Sequence, residues 1–408
     1  MLRHSFHRLP ALLLVSVVAG CKPIGELSDR LFDSRAPRQR YLDGLARAGL
    51  AATAMFRDWS RAGELALKDA PLVKSPHLEE VSLPPAEPAA IGLRVTLRRG
   101  QQVRFEVVLP GDSVTLVFLE AWRLSDQADS IVKDVAHAKS GERSLAFDAD
   151  ADAEYLFRAQ PELLRGGRFS VSLVVAPTLG FPVPGRGEND IKSRWGASRD
   201  GGRRRHTGLD IFARRGTPVL AAARGRVIEV GENELGGNVV WLRDERGNTH
   251  YYAHLSAQLV SYGDLVELGD TLGLVGNTGN ARTTPPHLHF GIYRRGEGPV
   301  DPFWFIHRPA GQVQRVTADT TLLGNFARVP ARKVVLRRSP SNDADTLVTL
   351  APEVPIRVLS ATGSWLRVRA SDGVTGFLPA RLTRRDPAQG AMMAQAEGTG
   401  VVTGSDQP

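Results

Sequence analysis

Residues 206–231 read HTGLDIFARRGTPVLAAARGRVIEVG, and this stretch decides the fold. Short apolar runs such as Val219-Leu220 and Val227-Ile228 alternate with Gly208, Gly216, Gly225 and Gly231. Glycines spaced between runs too short for a helix predict short strands joined by tight turns. The texture continues through GGNVVWLRD (236–244), THYYAHLS (249–256), GDLVELGDTLGLVGNTGN (263–280) and PPHLHFGIY (285–293).

Five of the ten histidines of the chain fall in this region. They lie in three pieces: His206-Thr207-Gly208-Leu209-Asp210, His250-Tyr251-Tyr252-Ala253-His254 and His287-Leu288-His289. In an extended segment, residues two or four apart point the same way. His287 and His289 therefore share a face if 287–290 is a strand, with Phe290 opposite. His206 and Asp210, and likewise His250 and His254, are spaced to converge on one centre from a strand or a tight loop. Imidazole nitrogen and carboxylate oxygen are ligands a zinc ion accepts at about 2.0–2.2 Å. Each short motif alone is weakly specific, and the flanking segments carry the decision.

With Arg194-Trp195-Gly196 ahead of them, the segments quoted above closely resemble the lysostaphin/LytM-type zinc metallopeptidases, which cut peptide crosslinks in bacterial peptidoglycan. The resemblance covers about residues 185–305 and implies a β-sheet peptidase domain over 180–310. It implies Zn2+ as the cofactor, His206, Asp210 and His289 as its ligands, and His254 and His287 as two catalytic histidines that are not ligands. His250 and His307 match no implied role and are expected to be partly exposed. Three protein ligands leave a fourth position for water, whose pKa the ion lowers towards neutrality. A neighbouring histidine can take the proton, and a second, as imidazolium, can steady the developing oxyanion. His287 is assigned the first role and His254 the second, a division the sequence leaves open. The family commonly reads Gly-Pro-His-Leu-His-Phe-Glu; here Pro285 precedes Pro286 and Gly291 replaces the Glu. No ligand is lost, but the groove beside Arg282–Pro286 is expected to differ in shape.

Outward from this region the chain divides further. Residues 91–178 alternate strictly, as in Leu93, Val95, Leu97 and Phe169, Val171, Leu173, Val175, which predicts a β-sandwich. His137 stands alone there and is expected on the surface. Residues 22–73 show helical spacing (Tyr41, Leu45, Ala48; Met55, Trp59), weakened by Gly44, Gly49 and Gly63, and suggest a membrane-proximal stalk or hairpin. Pro71, Pro76, Pro84, Pro85 and Pro88 suggest a stiff linker over 74–90. Residues 316–385, with Leu336-Arg337-Arg338-Ser339-Pro340, Gly363-Ser364-Trp365 and Gly376-Phe377, resemble a bacterial SH3-type domain, a small barrel that often holds wall peptides. Trp365 is read as partly core rather than ligand-facing. The last segment, 386–408, is polar and expected to be disordered. The fold expected is thus multidomain and mainly β: a short helical segment, a sandwich, the peptidase domain and an SH3-like barrel.

The first residues, MLRHSFHRLPALLLVSVVAGC, join Arg3 and Arg8 to an apolar run, Leu9–Ala19, shorter than a membrane span. Val18-Ala19-Gly20-Cys21 resembles a bacterial lipobox, and the single Cys of the chain stands where that motif needs it. The expectation is a lipoprotein signal peptide over 1–21, lipidation at Cys21 and a lipid anchor on a membrane. Lys22, in place of an Asp that would mark inner-membrane retention, points to the periplasmic face of the outer membrane. One Cys excludes a disulfide scaffold. The net charge of +8 over 408 residues favours an anionic partner, and an exported protein does not meet the genome, so no nucleic acid is expected.

The function expected is zinc-dependent hydrolysis of peptidoglycan stem-peptide crosslinks by metal-activated water. The alternative is a catalytically silent relative that activates a separate wall amidase. Such relatives lack the ligands that this chain retains. The sandwich reads as a spacer, or as a cover that holds the peptidase shut.

Overall fold

Period-two alternation becomes two facing sheets in the computed structural model, which describes residues 35–111, 114–125, 131–309 and 311–386. Eight strands make the sandwich: β1 (His77–Leu83), β2 (Ile91–Leu97), β3 (Gln101–Val108), β4 (Val117–Leu124), β5 (Ile131–His137), β6 (Ser144–Asp148), β7 (Ala153–Pro161) and β8 (Gly167–Pro177). One sheet runs β2-β7-β4-β5 and the other β1-β8-β3-β6. Leu93, Val95, Phe105, Phe157, Val171 and Leu173 meet between them, because every second side chain faces inward. His137 is exposed.

The N-terminal segment is a helical hairpin, α1 (Pro37–Arg47) and α2 (Ala54–Lys68), laid on the outer face of the β2-β7-β4-β5 sheet. It is no free stalk. Trp59 is buried, and its indole N–H donates to the Pro161 carbonyl at 2.9 Å. Gly92 makes the contact possible: a Cβ there would sit 1.7 Å from the Ala66 carbonyl oxygen of α2. Arg38 donates to Gln160 Oε1 at 2.6 Å, and Arg158 pairs with Glu120 through Nε at 2.9 Å. Arg158 and Glu120 thus form a buried ion pair, whereas the buried Arg38 is held by a neutral amide oxygen.

The expected linker 74–90 is corrected. Residues 77–83 are β1, an inner strand with buried His77, Glu79, Val81 and Leu83 alternating along it. The prolines flank the strand and take nothing from its ladder. β1 pairs with β8 on one side and with a strand of the C-terminal barrel on the other. That barrel comprises β21 (Phe326–Arg328), β22 (Val334–Arg337), β23 (Thr346–Leu350), β24 (Pro355–Thr362), β25 (Trp365–Ala370), β26 (Thr375–Pro379) and β27 (Arg384–Arg385). The pairs Glu80↔Ala361 and Val81↔Ser360 fuse it with the sandwich into one 11-stranded sheet. Trp365 is half-buried and outside the barrel core, a correction, because alternation along β25 gives the core to Leu366 and Val368. Asp386 is buried and pairs with Arg328 at 3.0 Å, so ordered packing reaches that residue. The predicted signal peptide, Cys21 and the tail from 387 lie outside the described residues.

Between sandwich and barrel in sequence lies a second sheet. Its strands are β9 (Ile191–Ser193), β12 (Leu209–Phe212), β13 (Pro218–Leu220), β14 (Gly225–Asn233), β15 (Gly237–Asp244), β16 (Thr249–Gln258), β17 (Leu265–Val266), β18 (Thr271–Val275), β19 (His287–Arg294) and β20 (Gly298–Val300); a small hairpin, β10 (Ser198–Arg199) and β11 (Arg204–Arg205), precedes β12. The main order is β17-β14-β15-β16-β19-β12-β9, antiparallel throughout. Leu209, Ile211, Val240, Leu242, Tyr252, Leu288, Phe290 and Ile292 fill the core on one face. The opposite face is open and carries Asp210, His254, His287 and His289.

Candidate metal centre

Register across the central strands assembles the centre. Asp210 of β12 lies opposite His289 of β19, which lies opposite Ala253 of β16. His287 and His289 project to the open face, and Phe290 enters the core. His206 sits just before β12, fixed by its N–H donating to the Ala197 carbonyl at 2.8 Å. His206 Nε2, Asp210 Oδ1 and His289 Nδ1 are 3.0 Å apart in all three pairs. They are the group able to hold a metal ion among the described residues.

Proton placement tests whether this triangle suits a cation. His206 Nδ1 lies 2.9 Å from the Arg194 carbonyl, which can only accept, so the ring proton is there and Nε2 turns a lone pair to the centre. Arg199 Nη2 donates to Asp210 Oδ2 at 2.6 Å and to Ser193 Oγ at 2.7 Å, leaving Oδ1 free for the centre. A lone pair and a carboxylate oxygen aimed at one point repel unless a cation lies there. Two imidazoles and one carboxylate are a donor set for zinc with an open fourth position. The residues fit the ion.

Two further imidazoles border the triangle. His287 Nδ1–H donates to the Pro285 carbonyl at 2.9 Å, and His254 Nδ1–H to the Thr278 carbonyl at 3.0 Å. In the neutral ring this tautomer turns the Nε2 lone pair to the cleft, and Nε2 of His287 lies 3.9 Å from Asp210 Oδ1. Phe212 stacks on His287 at 4.8 Å between ring centres. Burial first, then the neighbouring His287 and His289, lowers the His254 pKa to about 4. Burial likewise lowers that of His289.

His254 reaches this face by a backbone irregularity. Strict alternation from Tyr251 and Ala253 would send residue 254 into the core. Instead Tyr252 pairs with Val240 and Leu255 with Asn238, so two residues of β16 oppose one of β15. His254 takes φ = 64°, a left-handed conformation unusual for a histidine, and its side chain turns to the cleft. His250 keeps the alternation, faces the other way and is fully buried against Asp244 at 3.2 Å. The expectation of a partly exposed His250 is thus corrected: it lies on the core face. His307 is half-buried, stacked on Phe303 and 3.3 Å from Glu188.

Sequence reasoning missed Arg199, Ser193 and the carbonyls of Arg194, Thr278 and Pro285. Carbonyls leave no mark in side-chain patterns, and Arg199 is one of 52 Lys and Arg residues.

The five side chains line a cleft of about 520 Å³ with Arg199, Trp241, Tyr251 and Tyr293. Residues 204–302, which hold all five, match the family described as Peptidase family M23, and residues 331–385 match Bacterial SH3 domain. The L-Ala--D-Glu endopeptidase of Bacillus subtilis is 41% identical over 134 residues, 30% of this chain and 41% of that protein. The DD-carboxypeptidase/endopeptidase Mpg of Neisseria meningitidis is 43% identical over 99 residues, 24% of this chain and 22% of that protein. The catalytic domain of lysostaphin from Staphylococcus simulans is 34% identical and aligns with 28% of this chain and 91% of its own, with a TM-score of 0.26. The chain therefore spans about two fifths or less of the length of these curated relatives. The histidine-bearing sheet is thus the part of the chain that is similar to Peptidase family M23, and the C-terminal barrel the part that is similar to the Bacterial SH3 domain.

Proposed function

We propose that the protein is a zinc-dependent endopeptidase acting on the peptide crosslinks of bacterial peptidoglycan, held to a membrane through lipid on Cys21 at the periplasmic face of the outer membrane. The observation that carries the reading is the triangle of His206, Asp210 and His289 beside two imidazoles with free Nε2 atoms. Both matched relatives named above are endopeptidases by name, one of them for an L-Ala–D-Glu bond, which supports the reaction class. Their names specify different bonds, so the bond cut here is left to experiment.

His206, Asp210 and His289 would hold the ion, which when bound supplies Lewis-acid polarisation of a carbonyl and acidification of water. His287, oriented by the Pro285 carbonyl, accepts the proton of the attacking water at Nε2 and returns it to the leaving amine. His254 is neutral near pH 7, because burial opposes its charged form. In that neutral form it offers the cleft a second hydrogen-bonding group at Nε2, and the division of roles between His254 and His287 is left to experiment. Arg199 holds the Asp210 carboxylate in place.

The test is direct. The purified protein is assayed for metal by mass spectrometry and incubated with crosslinked muropeptides, beside chelator-treated protein and His206→Ala. The expected result is one zinc per chain and cleavage that both controls lose. Intact crosslinks with wall binding retained would instead favour the amidase-activating alternative.

A further inference from the structure

Beside the metal centre the sheet carries a second row of residues in register. Trp241 of β15 pairs with Tyr251 of β16, and Tyr251 pairs with Gly291 of β19. These positions face the cleft, one step along the strands from Ala253 and His289. The Trp241 and Tyr251 rings are 4.3 Å apart, Tyr293 lies 5.1 Å from Trp241, and Tyr251 meets His289 at 5.7 Å. The next position carries no side chain. Gly291 is buried, and a Cβ on it would stand 3.3 Å from the Thr207 carbonyl oxygen, 3.4 Å from the Tyr293 ring and 3.6 Å from the Tyr251 Cβ, so any longer side chain would press on the Tyr293 ring. The result is a trough along an aromatic wall of Trp241, Tyr251 and Tyr293, within the same cleft as the two further imidazoles. The Trp241 indole N–H and the Tyr293 hydroxyl have no hydrogen-bond partner among the described residues. The wall thus offers apolar faces and two polar tips, a pattern that orients a ligand.

We infer that this trough is a stacking subsite for a pyranose ring of the glycan strand next to the scissile peptide. The inference rests on the proposed peptidase reading. Within that polymer the stem peptides present methyl groups, carboxylates and amines, none broad enough to cover the wall. An amino-sugar ring presents a rigid face of C–H bonds to the indole and hydroxyl and amide groups to the two polar tips. The enzyme then prefers peptides still joined to sugar.

Two measurements on the full protein test this. In saturation-transfer NMR with the peptide-free disaccharide of the glycan, the ring protons should receive saturation from wild type, and Gly291→Glu and Trp241→Ala should abolish it. Gly291→Glu disturbs the wall by pressing on the Tyr293 ring while keeping all three rings, so a folding defect in the Trp241 variant does not stall the test. Kinetically, wild type should cleave a disaccharide-linked peptide with kcat/KM about tenfold above the same peptide freed of sugar, and both variants should bring that ratio to about one. Absent saturation in wild type, saturation unchanged in both variants, or equal cleavage of the two substrates by wild type would overturn the subsite. Failure to cleave either peptide sinks the peptidase reading separately, and the NMR result then decides the subsite alone.

Discussion

His250 and His254 show what side-chain spacing alone reveals at a site. Both belong to β16 and are four apart, yet one is locked in the core against Asp244 and the other borders the metal centre. Spacing treats them alike; the extra residue at Ala253–His254 separates them, and no residue type announced that bulge. His287 and His289 were easier, because a regular strand carries i and i+2 on one face. Arg199 was invisible, although it fixes the outer oxygen of Asp210. Partners of metal ligands are worth about 10–100-fold in affinity. Arg199→Ala should therefore weaken zinc binding by about that factor in a chelator competition titration, with Arg199→Lys restoring part of it. Unchanged affinity in both variants would mean that the guanidinium only decorates the rim.

Strands β3 and β8 were legible because one face of each is buried and the alternation survives, whereas β4 and β7 are buried on both faces. β1 was not, because its flanking prolines dominated the composition of 74–90 while the alternation inside it is polar as well as apolar. Glu79 and His77 occupy inward positions, which reads as exposure until the neighbouring barrel is in place. Glu79 is fully buried, accepts from Ser360, and lies 3.1 Å from His77 and 3.6 Å from Arg367. Burial alone would raise its pKa, but the hydrogen bond from His77, the charges of Arg367 and His77, and the Ser360 hydroxyl together lower it from 4.5 to about 2. An acid whose folded pKa is depressed adds stability above its unfolded pKa and loses it as pH falls through the folded one. The junction of β1 and β24 should thus weaken between about pH 4.5 and pH 2. Calorimetry across that window should show the midpoint falling, with a shallower fall in Glu79→Gln; identical slopes would remove the carboxylate from the account.

At the scale of the molecule, composition and motif order pointed to several modules, and the mainly β architecture follows from their short alternating runs. How the modules join was not legible, since single residues at edges decide it. Pairing of β1 with β24 makes sandwich and barrel one sheet. The peptidase sheet leans on the sandwich through Phe305, which packs over Gly100, and through Arg99–Glu297 and Arg246–Asp148, both 2.7 Å. Truncation before residue 316 should strip Glu79 of Ser360 and Arg367 and expose the edge of β1. Calorimetry should then show the sandwich melting at a lower temperature, whereas an unchanged sandwich transition would make the barrel an independent passenger.

The docked helical hairpin has a geometric consequence. With α1 fastened to the sandwich from Pro37 onward, only residues 22–36 separate the proposed lipid on Cys21 from a body of fixed shape. Fifteen residues stretched to their limit reach about 50 Å. Were the proposed lipid present, the hairpin would thereby cap the distance from a membrane at which the proposed peptidase could work.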